Sequence, residues 1–486
     1  MKILPIIIAL FLIYGCQPIV TETIIMDCQP MLYPDYSDVT IPYNIAPVNF
    51  STIAYDSLQR IEVEVKMPDG SIREFHGDKY IDFSISNWRE IAEKTRGNKI
   101  EIAVVEYKNK KKYVYKPFTI NIANEPIDSY LCYRLITPGY RIYSQMGIYC
   151  RNLTTFEQTT VVDNHLINSN CVNCHSFWKA DADHASLHVR GDLGSTVLKN
   201  GNDIKICRAI NDNLGLNCVY PYWHPSGKYI AYSQNNTVQS FHCGSPNRVE
   251  VYDLESRVVV YDIANNMLLT SPQLNANKTF TSEPSFSPDG RSLYYITADT
   301  VDMNRYTTEV RYDICRIGFD DASGNFDGKV DTLVKVSSDS LTTAFPRPSY
   351  DGKYLLYTQF NYGQFGIWHT EADLWMLNLT TNERYPLTKA NSPVAADSYH
   401  SWSQNSRWIV FESRRDDGFF TRAYIAYINN DGKAEKAFLL PQQDPAFNRS
   451  LMFSFNVPEF ATKEFKFNKG VLEKDLKSGK KLQFNY

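Results

Sequence analysis

Four stretches of this chain align on one kind of turn, and that register constrains the fold more than any other feature. They are "YPYWHPSGKYIAYSQ" (220–234), "EPSFSPDGRSLYYIT" (283–297), "FPRPSYDGKYLLYTQ" (345–359) and "YHSWSQNSRWIVFES" (399–413). Each reads as a short strand, a tight S-P-D-G-like turn, and an aromatic and β-branched strand. The turns fall at Gly227, Gly290, Gly352 and Ser406, roughly every 55–63 residues. A loop and two more strands follow each, as in "DLWMLNLTTNERYPLT" (373–388). One four-stranded unit per repeat is the pattern of a β-propeller. A chance set of hairpins does not explain four turns of one type in register.

The same grid absorbs "HSFWKADADHASLH" (175–188) without a gap. His175 falls on Pro221, Pro284, Pro346 and His400. Asp181 falls on Gly227 and Gly290, and His188 on Gln234, Thr297, Gln359 and Ser413. That makes five units. "GIYCRNLTTFEQTTVV" (147–162) resembles outer strands and "LMFSFNVPEF" (451–460) inner ones, so a first and last segment sharing one unit gives a sixth. The expectation is a six-bladed propeller, with five or seven blades as alternatives.

Upstream, residues 48–125 read as short strands interrupted by one helix, "NWREIAEKTRG", with Asn87 as N-cap and Gly97 as its end. A small Ig-like β-sandwich is expected there. Residues 17–47, rich in Pro, Tyr and Asp, read as a tether, and 461–486 as a C-terminal tail after a propeller spanning 126–460. The 33 tyrosines, within an aromatic content of 14%, favour this all-β class. A net charge of −4 implies no basic face, so no nucleic acid partner is expected.

Residues 1–16 read as a lipoprotein signal peptide. Lys2 precedes an apolar run from Ile3 to Ile13, too short to span a bilayer, and "LIYGC" then places Gly15 before Cys16. This resembles a bacterial lipobox with Cys16 as the lipidated residue; an ordinary secretory signal is the alternative. Both place the protein in the cell envelope. Lipidation makes the membrane a partner and a periplasm-facing outer-membrane site the expected location.

Cys171-Val172-Asn173-Cys174-His175 is the C-x-x-C-H pattern of covalent c-type haem attachment. Two thiols add to the vinyl groups and the adjacent imidazole ligates iron. Export supports this reading, since c-type haem is attached outside the cytoplasm, and no second Cys pair at zinc spacing exists. A zinc site or an idle pair is the alternative. The motif is expected in a loop entering a blade, with His175 as proximal ligand. His188 is the first candidate for the distal position and His400 the second; Met146 is a further one. Each has a plainer reading as a strand-end residue. Arg190 could pair with a haem propionate, or be a solvated rim residue. His224 is expected to be structural.

Other loops at this end gather Asn235, Asn236, His242, Asp302, Tyr362, Arg414, Arg415 and Asp416. His369, Glu371 and Asp373 alternate and would share one side of a strand, more simply as a hydrogen-bonded cluster than as a metal site. Of the ten cysteines, seven remain after Cys16, Cys171 and Cys174. Cys132 with Cys150 and Cys207 with Cys218 are the nearest disulfide candidates, and buried thiols are an equal reading.

The repeats "WHPSGKYIAYS", "FSPDGRSLYYI" and "WSQNSRWIVFESRRDDG" resemble the TolB-like, WD-repeat-like propeller family. With "NCVNCHSF" and "FGIWHTEADL", residues 130–460 are similar to Bacteroidetes lipoproteins that join such a propeller to a C-x-x-C-H motif. A more distant likeness is to the haem-bearing propeller domain of the hydrazine synthase alpha subunit, whose chemistry does not carry over because only one haem motif is present. The resemblance implies a lipid-anchored propeller with one haem c, passing electrons to a redox or envelope protein partner or sensing a small ligand. A haem enzyme, and a protein-interaction scaffold without haem chemistry, are the alternatives. No G-x-S-x-G nucleophile elbow is present, which disfavours a propeller peptidase.

Overall fold

The computed structural model describes residues 18–54, 56–137, 145–208, 218–302, 307–478 and 481–485. The lipobox stretch with Cys16 lies outside them. The repeat pattern becomes six antiparallel meanders, each laid down in chain order. Sheet 1 begins at Tyr130–Ile136, sheet 2 at Cys171–Trp178 and sheet 3 at Cys218–Trp223. Sheets 4, 5 and 6 begin at Thr279–Phe286, Thr342–Pro348 and Asp397–Trp402. Sheet 1 is completed by Ser454–Ala461, which pairs with Tyr130–Ile136 from the far end of the chain. The innermost strands of sheets 2 to 6 and Ser454–Ala461 touch one another in sequence, and the last also meets the first. The arrangement is propeller-like, with the innermost strands around a central channel.

The turn residues explain the repeat. Gly227, Gly290, Gly352 and Ser406 have φ of 74°, 75°, 71° and 59°, the left-handed region that a tight turn needs and that glycine enters without strain. At Gly290 an added Cβ would also lie 2.4 Å from His224 Nε2.

The N-terminal module has a seven-stranded sheet, a two-stranded one of Leu32–Tyr33 and Ser51–Thr52, and one helix, Ile85–Lys94. The helix begins earlier than expected, because Ser84 rather than Asn87 is the N-cap, its side chain accepting from Asn87 N. Residues 22–42, expected as a tether, are part of the module. Glu22–Ile25 and Thr40–Pro42 each pair with a strand, and Tyr36, Val39 and Ile41 are buried. One apolar cluster runs from these residues through Ile61 and Trp88 into Trp408, Val410 and Phe455 of the meanders. The module is therefore fused to sheets 1 and 6 through a shared core.

The C-terminal tail also packs. Helix Lys469–Lys477 buries Leu472 and Leu476, and Leu482–Gln483 adds a parallel fifth strand to the outer edge of sheet 2. That covers the outer edge of the sheet, opposite the strand that carries the Cys171–His175 motif.

Candidate functional site

The innermost strands carry bulges at equivalent positions, two residues wide except in sheet 6, where Tyr399 alone is skipped; those of sheets 1, 2, 3, 5 and 6 line the channel. The pairing shifts at Cys174-His175, Tyr220-Pro221, Glu283-Pro284, Phe345-Pro346, Val457-Pro458 and, in sheet 6, next to His400. Cys174, Tyr220, Glu283, Phe345 and Val457 all have φ between 50° and 55°, a strained conformation for residues with a Cβ. The motif is thus inside a strand, paired from Cys171↔Arg190 onward, and not in the loop expected from sequence. Its second cysteine occupies the bulge position that Tyr220 and Glu283 occupy elsewhere. The position of His175 on the proline register holds.

The position of His188 does not. Asn173 pairs with His188, as Val219 pairs with Ser233 and Ser398 with Glu412. His188 therefore matches Ser233, Ile296 and Thr358, one residue off the gapless alignment. The cause is the hairpin Trp178–Asp181, a two-residue turn at Lys179-Ala180 with an extra register shift. One residue of slip moves a side chain to the other face. Ser186, two residues from His188, bonds Tyr232 of sheet 3 at 2.8 Å, so His188 faces sheet 3. His175 faces sheet 1, where Arg134 and the Cys132 carbonyl act on it.

His175 is 2% exposed, and neither ring nitrogen makes a hydrogen bond of good geometry. Burial pushes its imidazole down to about 4, with the Cys132 carbonyl opposing and Arg134 adding to the shift, so it is neutral with a lone pair available. His188 is equally unpartnered, and burial with Arg190 nearby pushes it down to about 3. His400 follows the skipped Tyr399 in sheet 6 and pairs with Phe411. Its Nε2 meets the carbonyls of Phe345 at 2.8 Å and Leu356 at 3.2 Å, leaving Nδ1 without a partner. His400 shares the channel lining with Cys174 and His175; His188 does not.

Arg134, which the sequence did not single out, organises the motif. Its guanidinium lies 3.5 Å from Cys171 Sγ and 3.6 Å from Met146 Sδ. Burial pushes the Cys174 thiol up, opposed by the nearby Arg190 and Arg134 charges. Two buried thiols, an imidazole with both nitrogens unpartnered and two arginines near the thiols fit a c-type haem in residue type. The enclosed channel does not fit one. Its cavity is about 70 Å³, against ~300–1,000 Å³ for ordinary ligand pockets. Segments 138–144, 209–217 and 303–306 lie outside the described residues.

The other sequence candidates fall into structural roles. His224 bonds Ser226 Oγ at 2.7 Å and the Gly290 carbonyl at 3.0 Å under Phe286, as a turn-locking residue. Arg414 stacks 3.3 Å over Trp368, Arg415 pairs with Asp397 at 2.8 Å, and Asp416 accepts from Tyr424 at 2.5 Å. Cys132 and Cys150 stand opposite each other with sulfurs 3.3 Å apart, and none of the described cysteines is in a disulfide.

A long hairpin, Tyr229–Phe241 with Val249–Asp262, rises from sheet 3 at the motif end and crosses the ring. At its tip Arg248 lies over Phe419 of sheet 6, and Glu250 reaches sheet 5. Glu250 accepts from Tyr252, from Tyr362 at 2.5 Å and from His242 Nε2 at 3.0 Å, and lies 3.7 Å from His369 Nε2. His369 Nδ1 is 3.1 Å from Glu371. His369 and Glu371 thus share a cluster, in a turn rather than a strand, while Asp373 starts the next strand beside Asp397 and Arg415. Among the described residues no group of His, Cys, Asp and Glu is arranged to hold a metal ion. The sequence signal for this latch was the hairpin's length, since the other innermost pairs end near the position of Gln234.

No family model and no curated protein matches the chain. Among solved structures it is similar to a Bacteroides uniformis protein described as a 6-phosphogluconolactonase, at 13% identity and TM-score 0.33, over 78% of this chain and 95% of that one. Prolyl oligopeptidase B from Galerina marginata matches at 9% identity and TM-score 0.33, over 69% of this chain and 42% of that one. A Bacteroides ovatus protein described as a dipeptidyl aminopeptidase IV matches at 12% and 0.28, over 66% and 59%. Likenesses this distant leave the functional reading to the residues of the chain itself.

Proposed function

We propose that this chain is an exported, lipid-anchored six-bladed propeller carrying one covalent c-type haem on Cys171 and Cys174, with His175 as proximal ligand, for electron transfer or small-ligand sensing. The observation that carries the reading is His175 itself: a buried, neutral imidazole with both nitrogens unpartnered, directly after two thiols. An unsatisfied buried polar group costs ~1–3 kcal/mol, so its retention calls for a role. When attached, the haem supplies one-electron redox chemistry or binds a small ligand at iron. Arg190 and Arg134 lie near the Cys174 thiol and oppose the upward shift that its burial imposes. His400, and not His188, shares the channel lining with His175.

One observation favours a second reading, a scaffold without haem. His175 sits where His400 ties its strand to two carbonyls of the preceding sheet, so it could be a structural residue of the same kind. Production in a host with haem-attachment machinery separates the two. We expect haem that survives acid–acetone extraction, lost in Cys171→Ala and Cys174→Ala. A haem-free product that folds would leave the scaffold. If haem is attached, His188→Ala leaves the absorption spectrum unchanged; a shift from low to high spin would put His188 on the iron.

A further inference from the structure

The channel cavity contains a cation with no anion. Arg347 lines it from sheet 5 and has no carboxylate within ion-pair distance among the described residues. Its guanidinium donates to the Pro346 carbonyl at 3.1 Å and lies 5.4 Å over the Tyr222 ring. Around it stand the phenols of Tyr222 and Tyr350 and the half-committed imidazole of His400, 5% exposed with Nδ1 unpartnered at the wall. The carboxyl on this wall, Glu459, does not neutralise Arg347. It is occupied by the Phe177 N–H at 3.0 Å, and burial pushes it up to about 8, so it is protonated at neutral pH. A guanidinium, which can only donate, and two tyrosines thus line one small cavity. The cavity of about 70 Å³ admits only a small molecule.

We propose that this cavity binds a small oxyanion, of the size of formate, nitrite or bicarbonate, held by Arg347 with Tyr222 and Tyr350. The donors come from sheets 3 and 5, and the cavity is also lined by Cys174 and His175.

Titration of the full-length protein with sodium formate and sodium nitrite tests this, read by Trp402 fluorescence at the cavity wall and by calorimetry, with sodium chloride at equal ionic strength as the blank. We expect saturable binding, weakened roughly tenfold or more in Arg347→Gln and less in Tyr222→Phe. Arg316→Gln, which breaks a surface pair with Asp331, leaves it unchanged. Thermal melts establish that each variant is folded. Binding that persists in Cys171→Ser/Cys174→Ser supports a site independent of the haem; loss in that variant overturns it. No saturable signal in the folded wild-type protein, or a Kd indifferent to Arg347→Gln, overturns the proposal outright and leaves the haem reading standing.

Discussion

Glu459 shows how much one buried group changes what its neighbours can do. Its carboxyl is pushed to about 8 by burial, with Arg347 and the Phe177 N–H pulling the other way. Unfolded, it would titrate near ~4.3. Between those values the folded protein holds a proton that the unfolded chain has released, so this residue's contribution to stability falls as pH rises from about 4.3 to about 8 and is level above that. Arg347, Tyr222, Tyr350 and Cys132 are the ionisable groups that interact with it. Urea unfolding at pH 5 and pH 8 should show Glu459→Gln lacking this part of the slope. Equal slopes in the two proteins would mean that the carboxyl is ionised in the fold. Neither Glu459 nor Arg347 was legible as a site residue in the sequence. Each is the one charged residue of its strand, and only the packing of the sheets brings them to one cavity.

At the scale of the element, the hairpins were readable because their turns are chemically demanding. A left-handed residue two after a His-Pro, Ser-Pro or Ser-Tyr step leaves few choices, so Gly227, Gly290 and Gly352 mark the register in plain sight. The haem-motif hairpin was misread for the same reason. Lys179-Ala180 makes its turn without glycine or proline, and the extra residue on its return strand has no compositional mark. Everything beyond that turn, His188 included, shifted face. The bulges were hidden too, since no residue type is shared by Cys174, Tyr220, Glu283, Phe345 and Val457; only the proline or histidine that follows recurs. Gly290→Ala tests the turn argument. It forces a Cβ into both a positive φ and the His224 ring, and we expect a loss of about 1–3 kcal/mol in urea unfolding. A loss below about 0.5 kcal/mol would show that the turn relaxes.

Across the whole molecule, both chain ends are sewn into the motif's surroundings. Ser454–Ala461 closes sheet 1 and Leu482–Gln483 edges sheet 2, while the N-terminal module shares a core with sheets 1 and 6. The hairpin from sheet 3 is the exception. It is a two-stranded excursion held at its tip by Glu250, and two-stranded ribbons are weak on their own. Glu250→Gln removes the charge that His242, His369 and the two phenols converge on. We expect faster amide exchange confined to 235–256, with the rest of the ring unchanged; uniform protection would show that the hairpin is fixed by its base alone. The latch has a temporal consequence. A cover rooted on one sheet and fastened on two others across the ring makes the residence time of anything in the channel a property of the fastening. Arrival and departure at this mouth would be timed by the breaking of Glu250's bonds, whatever the affinity of the groups beneath.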